Sequence, residues 1–378
     1  MRRILVIAAV VAVALATAGA GHARTIPGQY IVVLEDDARA ANVATAHTRL
    51  GAQVLGVYGA ALKGYAARLT PSELAAVRAD DRVAFVEPDR TVYALTTQSN
   101  PPWGLDRIDQ RSRTLSRTFT YFNTGAGVRA YVIDTGIRFN HSQFGGRAVT
   151  GFDAVNGGPA DDCNGHGTHV AGTIGGSTYG VAKGVTLVGV RVLGCNGSGS
   201  TSGVIAGVNW VTGNHQAGQP AVANMSLGGG ASSALDNAVR NSIADGVSYA
   251  VAAGNGNIFG MAVNACNSSP ARVGEAMTIS ATDSNDRKAS WANFGSCVDW
   301  FAPGVSITSA WYTSTTATRT ISGTSMATPH TAGVAALYLQ GSPGASPATV
   351  RSTLFNLTTK GVVTSSSTTN NHLLFTNF

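Results

Sequence analysis

The sequence predicts an α/β protein with a mostly parallel central sheet, preceded by a small α+β unit. Three observations lead there. In the larger, C-terminal part, near-continuous Val/Ile/Ala strand segments alternate with helical stretches, the pattern of parallel strands buried on both faces. The seventy or so residues ahead of it mix strand and helix signals in a different style. The 378 residues are 44% hydrophobic and only 12% charged, which excludes a disordered or polyelectrolyte chain and allows one large domain with a smaller companion. No self-similar period suggests a repeat array.

The elements follow in chain order. Met1-Arg2-Arg3 precedes an apolar stretch from Ile4 to about Ala16 and then the small residues Ala18-Gly19-Ala20 and Ala23. This is the order of a secretory signal, cleaved after Ala20 or Ala23. The apolar run is shorter than the roughly 20 residues that cross a bilayer, and no later segment is long enough to span, so a soluble exported protein is expected. From Arg24 to Leu95, Tyr30 to Leu34 and Val83 to Val86 read as strands. Thr70-Pro71-Ser72-Glu73 opens a helix with a cap and a proline in its first turn. In the larger part, strands are expected at residues 128–133, 187–193, 221–227, 249–253 and 277–281, and helices at 166–174, 203–211, 234–244 and 326–339. Ligands of such sheets bind in the crevice at the carboxyl ends of the strands.

The net charge of +6 raises nucleic acid as a partner. Ten Lys/Arg and eight Asp/Glu precede Thr96, and sixteen and twelve follow from there. Neither part carries a dense basic run or interleaved aromatics, so nucleic-acid binding is not expected.

Asp134 closes the first large strand in Val132-Ile133-Asp134-Thr135-Gly136. A carboxylate there is either a turn or capping residue or a catalytic partner at the crevice. Asn164-Gly165-His166-Gly167-Thr168-His169 places a histidine among glycines where a helix should begin. One helical turn would present His166 and His169 together to a metal, but no third ligand spacing accompanies them. In Gly323-Thr324-Ser325-Met326-Ala327-Thr328-Pro329-His330, Ser325 at a helix start has the ordinary reading of an N-cap. The set changes that weighing. A serine hydroxyl is a poor nucleophile without a neighbouring base, and the base needs a third group to fix its tautomer. Asp134, His166 and Ser325 supply all three. A hydrolase built on Gly-x-Ser-x-Gly does not fit residues 323–327. Four cysteines in an exported chain read as two disulfides with three possible connectivities, and no Cys-x-x-Cys spacing supports zinc.

Together the segments 132–136, 166–172 and 323–330 resemble the subtilisin-like serine proteases, whose triad runs in the same chain order. Pro102-Trp103-Gly104-Leu105-Asp106-Arg107-Ile108-Asp109-Gln110 and Asn196-Gly197-Ser198-Gly199 are similar to the proteinase K and aqualysin-like branch. The resemblance implies a subtilisin-like three-layer fold over residues 96–378, a ferredoxin-like inhibitory prodomain over 24–95, and a signal peptide over 1–23. It implies a secreted, monomeric endopeptidase, with Asp134, His166 and Ser325 as the triad and Asn255 with the Ser325 backbone N–H as oxyanion donors. Gly197-Ser198-Gly199 and Ser226-Leu227-Gly228 become the edges that hold an extended polypeptide, and Ala252, Ala253 and Gly254 leave an open apolar primary pocket. An apolar or aromatic residue is then expected before the scissile bond. Leu95 fits that pocket once, if the prodomain is cut autocatalytically and Thr96 begins the mature enzyme. A relative that binds without cutting would lack one of these four side chains, and none is missing.

The resemblance further pairs Cys163 with Cys195 and Cys266 with Cys297, each loop contributing roughly 3–4 kcal/mol in a chain-entropy model. It implies structural calcium on the carbonyls of Gly274 and Ala276 with Asp299, and a second site on Asp106, Asp109 and Gln110. Two departures oppose calcium: Arg117 stands where a neutral oxygen ligand is expected, and Val362 replaces the carboxylate of a further family site.

Overall fold

A computed structural model describes residues 25–91 and 96–378. The expected signal segment and Leu95 lie outside the described residues. The chain divides into two compact units between residues 94 and 95.

The first unit runs Thr25–Leu34 (β1), Ala40–Arg49 (α1), Gln53–Tyr58 (β2), Gly64–Arg68 (β3), Pro71–Arg78 (α2) and Val83–Arg90 (β4). Its antiparallel sheet has the order β2-β3-β1-β4, the split βαββαβ arrangement of ferredoxin-like folds. Helix α2 starts with a full capping box: the Thr70 side chain accepts from Glu73 N–H, and Glu73 reaches back to Thr70 N–H. Val32, Tyr65 and Ala67 of the sheet pack with Val43, Ala44 and Val77 of the two helices.

The second unit opens with Thr96–Ser99 (β5), Trp103–Ile108 (α3) and Thr118–Tyr121 (β6), β5 pairing antiparallel with β6. Then follow Arg129–Asp134 (β7), Ala148–Asp153 (β8), His166–Gly175 (α4), Thr186–Arg191 (β9), Thr201–Asn214 (α5), Ala221–Met225 (β10), Gly229–Gly230 (β11), Ser233–Asp245 (α6) and Ser248–Ala252 (β12). The chain continues through Ser268–Ser269 (β13), Met277–Thr282 (β14), Trp300–Pro303 (β15), Ile307–Ala310 (β16), Thr318–Ile321 (β17), Thr324–Gly341 (α7) and Pro347–Leu357 (α8). Seven strands form one parallel sheet in the order β15-β14-β12-β10-β7-β9-β8.

Alternate residues of each central strand serve opposite faces. Ala130, Val132, Val222 and Ala250 pack with α4, α7 and α8 through Val170, Ile174, Leu337 and Leu354. Tyr131, Ile133, Ala223 and Val251 pack with α5 and α6 through Val204, Val208, Leu235 and Val239. The result is three layers, helices over both faces of the sheet.

The expected strand over 221–227 ends at Met225, and residues 226–228 continue without a sheet partner. The sequence reading did not anticipate β8, β15, the β16–β17 hairpin or α8. Two of these strands give a weak sequence signal: β8 is the edge strand Ala-Val-Thr-Gly-Phe-Asp, interrupted by Thr and Gly, and β15, though apolar and buried, is only four residues and ends in proline. The signal for α8 was present, since Ser346 caps it through Thr349 N–H and Pro347 opens its first turn.

Candidate active site

The carboxyl ends of three neighbouring strands, β7, β10 and β12, and the starts of two helices, α4 and α7, bring the expected residues into the second unit's main cleft. Asp134 is the last residue of β7 and fully buried. His166 is the first residue of α4. Gly165 immediately before it adopts φ +108°, and a Cβ there would meet the Trp311 ring at 2.4 Å. Only glycine brings the chain into α4 at this angle.

Asp134 Oδ1 and His166 Nδ1 lie 2.7 Å apart, and Thr135 N–H donates to the same oxygen at 2.7 Å. The His166 side chain is 25% exposed, against none for Asp134. One nitrogen is thus committed to a buried carboxylate while the ring faces the cleft. Burial opposes the charged imidazole, but the Asp134 charge and hydrogen bond, with Asp162 behind them, outweigh it and hold the pKa above the ordinary histidine value. A base held this way accepts a proton and keeps it as a stabilised imidazolium. If His166 acts as the base, in its neutral form, kcat/KM should climb along an acid limb whose midpoint lies above about 6.5. A pH profile on a peptide substrate checks this, and a midpoint below that value would contradict it.

Ser325 lies in the first turn of α7, one residue inside the helix rather than at its N-cap, which is Gly323. Its own N–H is one of the first-turn donors for which a helix supplies no carbonyl. The Ser325 hydroxyl donates to Ser226 O at 3.1 Å, and Ser226 Oγ donates back to Ser325 O at 2.8 Å. This reciprocal pair ties α7 to the end of β10. It also points the hydroxyl at a carbonyl rather than at His166, and catalytic hydrogen bonds are often long or poorly aligned before substrate binds.

Asn255 follows β12. Its Oδ1 accepts from Thr324 N–H at 2.8 Å and from Thr324 Oγ1 at 2.9 Å. With the oxygen doubly held, the amide nitrogen is the group left to donate. The loop beneath is fixed by Asn293, which donates to Ala253 O at 2.9 Å and accepts from the N–H groups of Gly256 and Val263, both at 2.9 Å. Thr324 and Asn293 were not singled out in the sequence, because neither stands in a position whose type alone announces its role.

Gly197, Ser198 and Gly199 line one side of a cavity of about 420 Å³, with His166 and Thr135 in its wall and Ser226, Leu227 and Gly228 opposite. An adjoining cavity of about 280 Å³ is lined by Ala252, Ala253, Gly254, Asn255 and Ser325, shares Leu227 and Gly228, and has no acidic lining residue. His169 and His330 point elsewhere: His169 Nε2 lies 3.0 Å from Ile307 O, and His330 Nδ1 lies 2.9 Å from Met326 O. Burial lowers both to a pKa of about 4. They are neutral packing histidines, and the paired-histidine metal reading falls away.

The disulfides join Cys163 to Cys195 and Cys266 to Cys297. The first links the approach to α4 with the loop at Gly197, and Arg191, paired with Asp153 at 3.2 Å, sets its guanidinium 3.2 Å from Cys163 Sγ.

The two sets of calcium ligands differ in their fitness for a cation. Asp299 Oδ2 accepts from Thr278 N–H at 2.8 Å, which sets it beside the Gly274–Ala276 turn, but Oδ1 is already held by Arg351. A guanidinium on that oxygen competes with a metal, so this set does not fit as it stands. In the other set, Asp106 takes the N–H groups of Ser116 and Arg117, and Gln110 Oε1 also accepts from Ser116 N–H. Asp109 accepts from Thr120 N–H through Oδ2 at 2.8 Å, while its buried Oδ1 has no partner. Burial, with Asp106 nearby, pushes the Asp109 pKa up to about 6. An orphaned carboxylate oxygen beside a second carboxylate is what a hard cation satisfies, and the Arg117 side chain is exposed.

Comparison with known proteins agrees with this architecture. Residues 125–373 match the model of the subtilase family, and residues 29–95 match that of the peptidase inhibitor I9. The chain is 61% identical over 314 residues to an extracellular serine proteinase of Thermus sp. (strain Rt41A), covering 83% of this chain and 75% of that one. It is 54% identical over 330 residues to alkaline serine exoprotease A of Vibrio alginolyticus, covering 85% of this chain and 60% of the relative. The crystal structure of a cold-adapted subtilisin-like serine proteinase superposes with a TM-score of 0.70 at 56% identity, covering 73% of this chain and 98% of that one. With the family model spanning most of the second unit and the inhibitor model most of the first, the chain belongs to the subtilases, as a serine protease that carries its own I9 inhibitor unit.

Proposed function

We propose that residues 96–378 form a secreted endopeptidase of broad specificity that cuts after apolar or aromatic residues and is matured by autocatalytic removal of residues 24–95. The observation that carries the reading is the Asp134–His166 pair at 2.7 Å opening onto the cleft whose far wall, Ser226, holds the Ser325 hydroxyl. In the reaction, Ser325 Oγ attacks the scissile carbonyl as its proton passes to His166 Nε2. The tetrahedral oxyanion is met by Asn255 Nδ2 and the Ser325 N–H. The imidazolium, steadied by Asp134, then gives its proton to the leaving amine, and water repeats the sequence on the acyl-enzyme. The same chemistry handles esters.

The substrate backbone would run between Gly197–Gly199 and Ser226–Gly228, adding a strand to exposed extended segments. Glycine at 199 keeps this edge packed on β9's continuation, where a Cβ would strike Val192 O at 2.3 Å. The small lining of the neighbouring cavity leaves room for a large apolar side chain and supplies no carboxylate for Lys or Arg. In a peptide series differing only at the residue before the cut, Phe and Leu should exceed Arg in kcat/KM. A tenfold preference for Arg would sink that specificity. Treatment with a fluorophosphonate should place one adduct on Ser325 and abolish casein cleavage together; labelling elsewhere would refute the assignment.

The names of the relatives and the amino-terminal signal pattern support export, and among the described residues no helix is long and apolar enough to cross a membrane. The partners are polypeptide substrates and the chain's own inhibitor unit, on an enzyme acting as a monomer. For calcium we favour Asp106, Asp109 and Gln110 over Asp299. A ligand bound only by the folded state raises stability with its concentration. Calcium should therefore raise the Tm of wild type, and Asp109→Asn should abolish the rise. An equal rise in both proteins would move the site away from Asp109.

A further inference from the structure

Asp162 has no role in the reaction just described and belongs to no helix or strand, yet its carboxylate is the most heavily used acceptor beside the site. Oδ1 accepts from Thr135 Oγ1, Asn164 N–H and Gly165 N–H, each at 2.9 Å. Oδ2 accepts from Thr168 N–H at 2.9 Å and Thr168 Oγ1 at 2.6 Å. These donors are not one local turn. Thr135 is the residue after Asp134, Asn164 and Gly165 lead into His166, and Thr168 lies two residues beyond it. Thr135 Oγ1 in turn accepts from Gly167 N–H at 2.8 Å, and Thr168 Oγ1 accepts from Arg138 N–H at 3.0 Å.

We propose that Asp162 is a positioning residue for proton transfer: one carboxylate clamps the end of β7 to the start of α4, fixing how Asp134 meets the His166 ring. The inference rests on the proposed roles of Asp134, His166 and Ser325. Only a carboxylate suits the place, because all five donors need an acceptor and an amide would turn its own N–H groups toward two of them. The negative charge also sits where positive charge develops on the imidazole, adding to that of Asp134. The other groups around the ring do not replace it. His169 is neutral, Arg191 is paired with Asp153, and Arg138 donates to the Tyr312 carbonyl.

A carboxylate near a helix start can be no more than a cap, and the experiment separates the two. The full chain is expressed as wild type, Asp162→Asn, Thr135→Val and Thr135→Ser. Mature enzyme is counted by fluorophosphonate titration, and kcat, KM and the pH profile are measured on a short peptide anilide. Small misplacements of catalytic groups cost up to about 100-fold in rate. Asp162→Asn should lose about tenfold or more in kcat per titrated site, with little change in KM and an acid limb displaced to lower pH. Thr135→Val should also lower kcat, and Thr135→Ser should restore it. A lower melting temperature with kcat within about twofold of wild type and an unmoved acid limb would make Asp162 a cap and overturn the proposal. If Asp162→Asn yields no mature enzyme, the threonine pair decides: equal kcat in Val and Ser variants overturns it. A wild type that cleaves nothing, or is labelled away from Ser325, would instead overturn the reading of the triad.

Discussion

Ser325→Ala should leave a full-length secreted precursor that neither releases residues 24–95 nor cleaves casein. The hydroxyl is the only group in the proposed reaction that forms the covalent bond. His166 and Asp134 without it can orient water but have no acyl acceptor to activate. In subtilisin, removal of the nucleophile costs on the order of 10⁶ in kcat, and a loss of that size is expected here. The fold should be unharmed, because the Ser325 side chain contributes one hydrogen bond to Ser226 O, while the return bond from Ser226 Oγ goes to the Ser325 backbone. Intact mass and melting temperature of the precursor check both halves of the expectation. If the alanine variant matures and cuts like wild type, Ser325 is not the nucleophile.

Asn255→Ala should lower kcat by about 10² to 10³, equivalent to roughly 3–4 kcal/mol of transition-state stabilisation, the scale measured for the equivalent amide in subtilisin. KM should move little, since the oxyanion exists only beyond the ground state. The side chain is exposed and held by Thr324 alone, so its removal should spare folding. Thr324→Val provides the companion measurement. It keeps the amide and removes one of the two donors that aim it, so a smaller loss in kcat with an intact Asn255 is expected. A kcat unchanged in Asn255→Ala would remove that side chain from the oxyanion site.

The residues legible in the sequence were those whose neighbours constrain them by type. Asp134 follows a run of apolar strand residues, His166 sits between glycines, and Ser325 stands between a glycine turn and an apolar helix. Parallel strands buried on both faces announce themselves in Val and Ile, so β7, β9, β10, β12 and β14 were readable. Support from far along the chain was not. Thr324 holds Asn255 across 69 residues, and Asn293 reaches Ala253 across 40. Asp162 is four residues from His166, yet its type and place read equally as loop polarity. Nor does sequence reveal occupancy of a carboxylate: Asp299 matched a ligand pattern, and only coordinates show Arg351 on one of its oxygens.

The strand order of the large sheet sets a clock as well as a frame. Its N-terminal strand β7 lies in the middle, with β9 and β8 added on one side and β10, β12, β14 and β15 on the other. Helices α4, α5 and α6 cross between β8 and β9, β9 and β10, and β10 and β12, while β12, β14 and β15 are joined by loops with no α-helix between them, and such non-local contacts form slowly. His166, the proposed base, rides on α4 near the beginning of this chain order, whereas Ser325, the proposed nucleophile, arrives with α7 after all seven strands. On the proposed mechanism, a chain made only as far as β15 holds Asp134 and His166 but no nucleophile. Ser325 thus enters with the next-to-last helix of the chain, and α8 follows it to add Val350 and Leu354 to the same core.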